Sequence, residues 1–124
     1  MPTWATAATR TLLDWLEQED AEVPSLWHLE LANALVVAAR SRRITPARAS
    51  EFIALIGGLP IVVDEQTPNH ALGGVLELAR GQGLSAYDAS YLELAMRRGL
   101  PFATKDVDLA KAAGRVGVSL LPTT

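Results

Sequence analysis

Hydrophobic positions along this chain follow two rhythms, a helical one of about 3.6 residues and short unbroken runs of strand length. Trp4, Ala8, Leu12, Trp15 and Leu16 recur at helical spacing and predict an amphipathic helix over Ala5–Glu17. The acidic stretch Glu17–Glu22 ends it and reads as a solvated loop. Val23–Leu26 predicts a short strand, weakened by Pro24, which has no N–H for a sheet ladder. The next helix is expected over Trp27–Arg42, with one apolar ridge of Leu31, Leu35 and Ala38 and a second of Ala32, Val36 and Ala39. Thr45-Pro46 then starts a helix, a capping hydroxyl followed by a residue suited to the first turn, and Gly57-Gly58 ends it. The β-branched run Ile61-Val62-Val63 is the clearest strand. Thr67-Pro68 repeats the helix-start device for a helix reaching Arg80. That helix carries Gly73-Gly74 inside it, at about 1 kcal/mol per glycine relative to alanine, and close packing is one use for them.

The densest information lies in Leu84–Leu109. Ser85 is a candidate N-cap with Asp88 three residues on, and Tyr91, Leu92, Leu94 and Ala95 form an apolar face. Gly99 is placed to end this helix in a left-handed conformation. Leu100–Thr104 predicts a buried strand, followed at once by Asp106. A short helix over Val107–Ala113 ends at Gly114, and Val118–Leu121 predicts a last strand.

Helices alternating with short buried strands predict an α/β domain with a mainly parallel sheet and helices on both faces. At 124 residues the chain fits one domain, 1–124, with a single core. No apolar run reaches the ~18 residues of a membrane span, and no secretory signal is evident at the N-terminus. The absence of cysteine excludes disulfides and thiolate metal sites and fits a cytoplasmic protein. A net charge of −3 argues against nucleic-acid binding through bulk charge, so any RNA contact needs a local patch or screening cations. Arg40, Arg42, Arg43 and Arg48 are the densest basic cluster and read, on local sequence, as a solvated helix end.

In such sheets ligands bind beyond the carboxyl ends of the strands. Asp106 leaves one strand, Glu30 falls in the first turn or so after another, and Asp88 opens a helix at the same edge. Taken singly, each acid has a structural role: Asp88 in a capping box with Ser85, Asp106 as an N-cap for the helix from Val107, and Glu30 on a helix surface. Asn33 lies one turn beyond Glu30 and could hold its carboxylate. His28 and Glu30 are two apart and point to nearly opposite sides of a helix, so they cannot easily share a metal. His70 reads as a surface or structural residue, Asp108 as a solvated acid, and Trp4, Trp15 and Trp27 as core or interface residues.

Three pieces in order, VPSLWHLELANAL, LSAYDASYLELA and GLPFATKD with the following Leu109, resemble the PIN-domain ribonucleases, especially the VapC-type toxins of bacterial toxin–antitoxin pairs. With the strand after Gly117 the resemblance covers Val23–Leu121. It implies a PIN-like three-layer α/β/α fold and a metal-dependent endoribonuclease cutting RNA by water attack on phosphorus, to leave a 5′-phosphate and a 3′-hydroxyl. It implies Glu30, Asp88 and Asp106 as the acids of a Mg²⁺ or Mn²⁺ site, with Thr104 supporting metal or scissile phosphate. The chemistry is consistent with such a set, since hard cations take oxygen ligands and offset charge on a phosphodiester. The resemblance further implies a cognate antitoxin and a homodimer.

One family feature is missing. The family opens with a central strand ending in Asp-x-Ser or Asp-x-Thr, and no such pattern precedes Val23; Asp14 lies on the first helix and is no substitute. The expectation is a shortened PIN-like chain, in which the flanking strands meet directly, another chain fills the gap, or the gene product starts upstream. Its competing readings are a catalytically inactive PIN-like module that binds RNA or a protein partner, and a flavodoxin-like regulator.

Overall fold

The computed structural model describes residues 20–121. The expected first helix, with Trp4, Asp14 and Trp15, lies outside them. Strand β1 spans Ala21–Pro24 and β2 spans Ile61–Asp64, paired in parallel from Ala21 opposite Ile61 to Pro24 opposite Asp64. Parallel neighbours need a long crossover, supplied by helices α1, Trp27–Arg40, and α2, Pro46–Gly57. The strand expected over Val23–Leu26 therefore begins two residues earlier. Pro24 is tolerated because Ala21 N–H donates to Pro60 on the β2 side. Backbone direction alternates along a strand, so the position of Pro24 points away from β2 and no ladder bond is lost there.

The helix-start signals are realised unequally. Thr45 Oγ1 accepts from Arg48 N–H at 3.2 Å and caps α2. Thr67 does not cap: it is the first residue of helix α3, Thr67–His70. Its hydroxyl instead accepts from Ser25 N–H and donates to the Asp64 carbonyl, tying together the ends of β1 and β2. Helix α3 runs through a π-helical turn, Ala71–Val75, into α4, Leu76–Gln82. Gly73 and Gly74 lie in that turn. A Cβ at Gly73 would meet nothing and one at Gly74 would reach 3.7 Å from Glu93 Cγ, an ordinary contact. Close packing is thus not what these glycines serve.

Helix α5 spans Ala86–Arg98 and ends at Gly99, whose φ of 63° is the left-handed stop its sequence predicts. Helix α6 spans Val107–Arg115. The core gathers around α5. Ala89 packs with Val75 and Ala79, while Leu92 and Ala95 pack with Phe102, Leu109, Ala112 and Ala113. Leu92 is wholly buried, and its side chain contributes about 2 kcal/mol relative to exposure. No residue of α1 or α2 is buried.

The strands expected over Leu100–Thr104 and Val118–Leu121 contract to a single parallel bridge, Phe102 with Leu120. Phe102 N–H donates to Ser119 and its carbonyl accepts from Leu121 N–H. Both strand pairings are parallel, in a mixed α/β arrangement. Among the described residues they do not join into one sheet. A cleft of about 290 Å³, walled by Val23 and Phe102 and lined by Tyr91 and Leu94 of α5, involves both pairs.

Candidate active site

Glu30 lies in the first turn of α1, where the helix dipole favours a carboxylate. Its Oε1 accepts a 2.5 Å hydrogen bond from the Tyr91 hydroxyl of α5. Asp88 lies three residues before Tyr91, one turn back on the same helix. Burial first, then the hydrogen bond to Glu30, and then the negative charges of Glu30 and Asp88 push the Tyr91 phenol well above the usual tyrosine range. The two carboxylates, from elements far apart in sequence, thus act on one phenol that stays neutral. Neither has an ion-pair partner among the described residues.

Ser85 caps α5, its hydroxyl accepting from Asp88 N–H at 3.1 Å. The capping box is only half built. The Asp88 carboxylate makes no return bond to the Ser85 N–H. It is half-buried, with no hydrogen-bond or ion-pair partner among the described residues. Asn33 does not hold Glu30: it is exposed, and Tyr91 occupies that role.

Asp106 and Thr104 form a separate local unit. Asp106 Oδ1 accepts from Leu109 N–H at 2.9 Å and caps α6, and Asp106 N–H donates to Thr104 Oγ1 at 3.1 Å. Among the described residues no three histidine, aspartate or glutamate side chains lie close enough to hold a metal together. The fold therefore bonds Glu30 to Tyr91, with Asp88 one turn back on the same helix, and keeps Asp106 and Thr104 at a helix start. Asp108, in the first turn of α6, is exposed. His28 is exposed, with its ring edge-on to Trp27.

A second acidic group lies elsewhere. Asp64, at the carboxyl end of β2, meets Arg97 Nη2 at 2.6 Å, and Arg97 Nε meets Glu93 at 2.6 Å. His70 approaches Glu93 at 4.0 Å. The Arg97 guanidinium hydrogen-bonded to Asp64 is the main cause holding that carboxyl below its ordinary value, and the two acids raise Arg97 in turn. Sequence reading missed Tyr91 as a polar partner because it fits the apolar face of α5. The available signal was its phenolic hydroxyl one turn from Asp88, since a buried tyrosine needs a partner for its O–H. No protein-family model matches the chain, and no curated protein matches it.

Proposed function

We propose that this chain is a PIN-like, metal-dependent endoribonuclease of the toxin type, built on a three-layer α/β/α plan and working with a cognate antitoxin and as a homodimer. The observation that supports it is the hydrogen bond of Glu30 to the Tyr91 phenol, with the charge of Asp88 acting on the same phenol and neither acid ion-paired among the described residues. The donor set fits a hard cation, because Mg²⁺ is commonly held by one or two carboxylates together with waters and substrate phosphate. Glu30 and Asp88 would hold it. Once bound, the cation supplies positive charge that favours ionisation of an attacking water and offsets charge on the phosphodiester.

The chain's own groups have distinct tasks. Tyr91 donates to one oxygen of Glu30 and so fixes the carboxylate plane, leaving the second oxygen for a ligand. Because the phenol resists ionisation, it adds no further negative charge beside the RNA backbone. Asp88, with its main chain anchored by Ser85, presents an uncommitted carboxylate from the start of α5. Asp106 and Thr104 enter this proposal through the family likeness.

A binding-only PIN-like module is the second reading. The employment of Asp106 as a helix cap favours it, as does the lack of a three-acid cluster among the described residues. A titration of Mg²⁺ or Mn²⁺ into the chain with an RNA substrate separates the two. The nuclease reading predicts metal-dependent cleavage that Asp88→Asn reduces about a hundredfold or more, a loss of roughly 3 kcal/mol of transition-state stabilisation. RNA or partner binding with no cleavage at any metal concentration would establish the binding module instead.

A further inference from the structure

We propose that Arg42, Arg43 and Arg48 form a contact surface for the phosphate backbone of single-stranded RNA, set apart from the acids at Tyr91. Residues 31–50 hold four arginines and no acid, in a chain with 14 acids and a net charge of −3. Arg42, Arg43 and Arg48 are all exposed and border one hollow of about 590 Å³, so charges from the end of α1 and the start of α2 converge. None of them forms an ion pair among the described residues, and Arg43 Nε donates only to the neutral Ser41 hydroxyl.

A solvated helix end, the reading local sequence suggests, accounts for Arg40 alone. Arg40 lies in the last turn of α1, where the helix dipole favours a cation. Arg48 lies in the first turn of α2, where the dipole favours an anion and the helix offers no acid. Arg42 stands at a harder position still. Arg43 N–H donates to the Ala38 carbonyl and Arg42 N–H to the Ala39 carbonyl, the paired bonds that close a helix around a left-handed residue. That residue is Arg42, with φ 58°, where glycine is the easy choice. Two arginines thus stand where the fold itself suits other residues, and residues kept against local preference point to function.

Exposed guanidiniums without carboxylate partners bind phosphate oxygens through paired N–H donors. Clustered cations of this kind track the backbone of a single strand, and their affinity comes from released counterions. Glu30 lies in the first turn of α1 and the arginines follow its last, about 15 Å further along the axis. The surface therefore holds nucleotides that flank the cut site, not the scissile phosphate. The choice of RNA rests on the nuclease reading, but the surface uses neither Glu30 nor Asp88.

The test is the anisotropy of a fluorescein-labelled single-stranded RNA of about a dozen nucleotides with the full chain, over a range of salt and without added divalent metal. Binding should weaken as salt rises. Arg42→Gly/Arg43→Gln/Arg48→Ala should weaken it on the order of tenfold and make the log–log salt slope shallower by about two, at roughly 0.7 per phosphate contact. Lysine at the same three positions should restore the slope, because counterion release counts charge. The unfolding midpoint of the first variant should hold or rise, since glycine suits the left-handed turn and alanine the helix start better than arginine does. The proposal is overturned if the unaltered chain leaves the RNA free, if the triple variant keeps the full slope, or if a polyglutamate peptide of equal charge competes as well as RNA. Cleavage on adding Mg²⁺ with an unchanged slope in the variant overturns this surface and leaves the nuclease reading intact. The predicted slope change with no cleavage supports the surface and counts against the nuclease.

Discussion

Two pairs of acids in this protein meet opposite fates. Asp64 and Glu93 are joined by Arg97, whose guanidinium lies within 2.6 Å of each. Glu30 and Asp88 flank Tyr91, which offers one hydrogen bond and no charge. The first pair is matched by a cation that the chain itself supplies, so it works as a clamp between β2 and α5. The second pair has no cationic partner among the described residues, and under the proposed function a cation comes to it from outside. The same residue types yield a structural lock in one place and a candidate ligand site in the other. The difference is the side chain placed between them.

The largest effect should come from breaking the lock. Arg97→Met leaves two poorly exposed carboxylates without their partner, and a broken pair of that kind costs about 3 kcal/mol or more. Urea unfolding measures this. Glu30→Gln should change stability by less than about 1 kcal/mol, because the phenol can donate to an amide oxygen as well. Equal losses in the two variants would erase the distinction between the pairs.

Asp106 sharpens the comparison at smaller amplitude, since it serves as a cap and is also a proposed site acid. Asp106→Ala should cost about 1 kcal/mol, while Asp106→Asn, an equally good cap, should cost almost nothing. If Asp106 also belongs to the site, Asp106→Asn loses RNA cleavage with stability intact. Retained cleavage in that variant confines Asp106 to capping α6.

The smallest effect is one of pH. Asp64 has a folded pKa below its ordinary value, so in the fold it stays charged where an unfolded chain would take up a proton. Its contribution is complete above about pH 4 and fades as pH falls toward the folded value. Asp64→Asn should flatten this acid limb in unfolding experiments. An unchanged limb would show that the Arg97 link adds nothing to it.

Much of this architecture is legible in the residues themselves. Ser85, Gly99 and the Thr45-Pro46 pair mark their helix ends because capping is local chemistry, confined to one turn. The β-branched run at Ile61–Val63 marks its strand for the same reason. What escapes is whatever depends on distant partners. Thr67 carries a capping signature yet binds Ser25 across 42 positions, and the strands around Phe102 and Leu120 shrink to one bridge through their neighbours' geometry. At the site, Glu30 and Asp88 are nameable, but the tyrosine bonded to Glu30 and the Arg97 lock are not. Those links span 61 and 33 residues, and no local period reports them.

The central claim is that Glu30 and Asp88 hold a cation and that Asp64 and Glu93 do not. Mn²⁺ binding followed by electron paramagnetic resonance tests it most directly, on the full chain and on two double variants. The account predicts bound Mn²⁺ in the unaltered chain, its loss in Glu30→Gln/Asp88→Asn, and its retention in a folded Asp64→Asn/Glu93→Gln. Binding that survives the first pair of substitutions, or no binding to the unaltered chain, would contradict it.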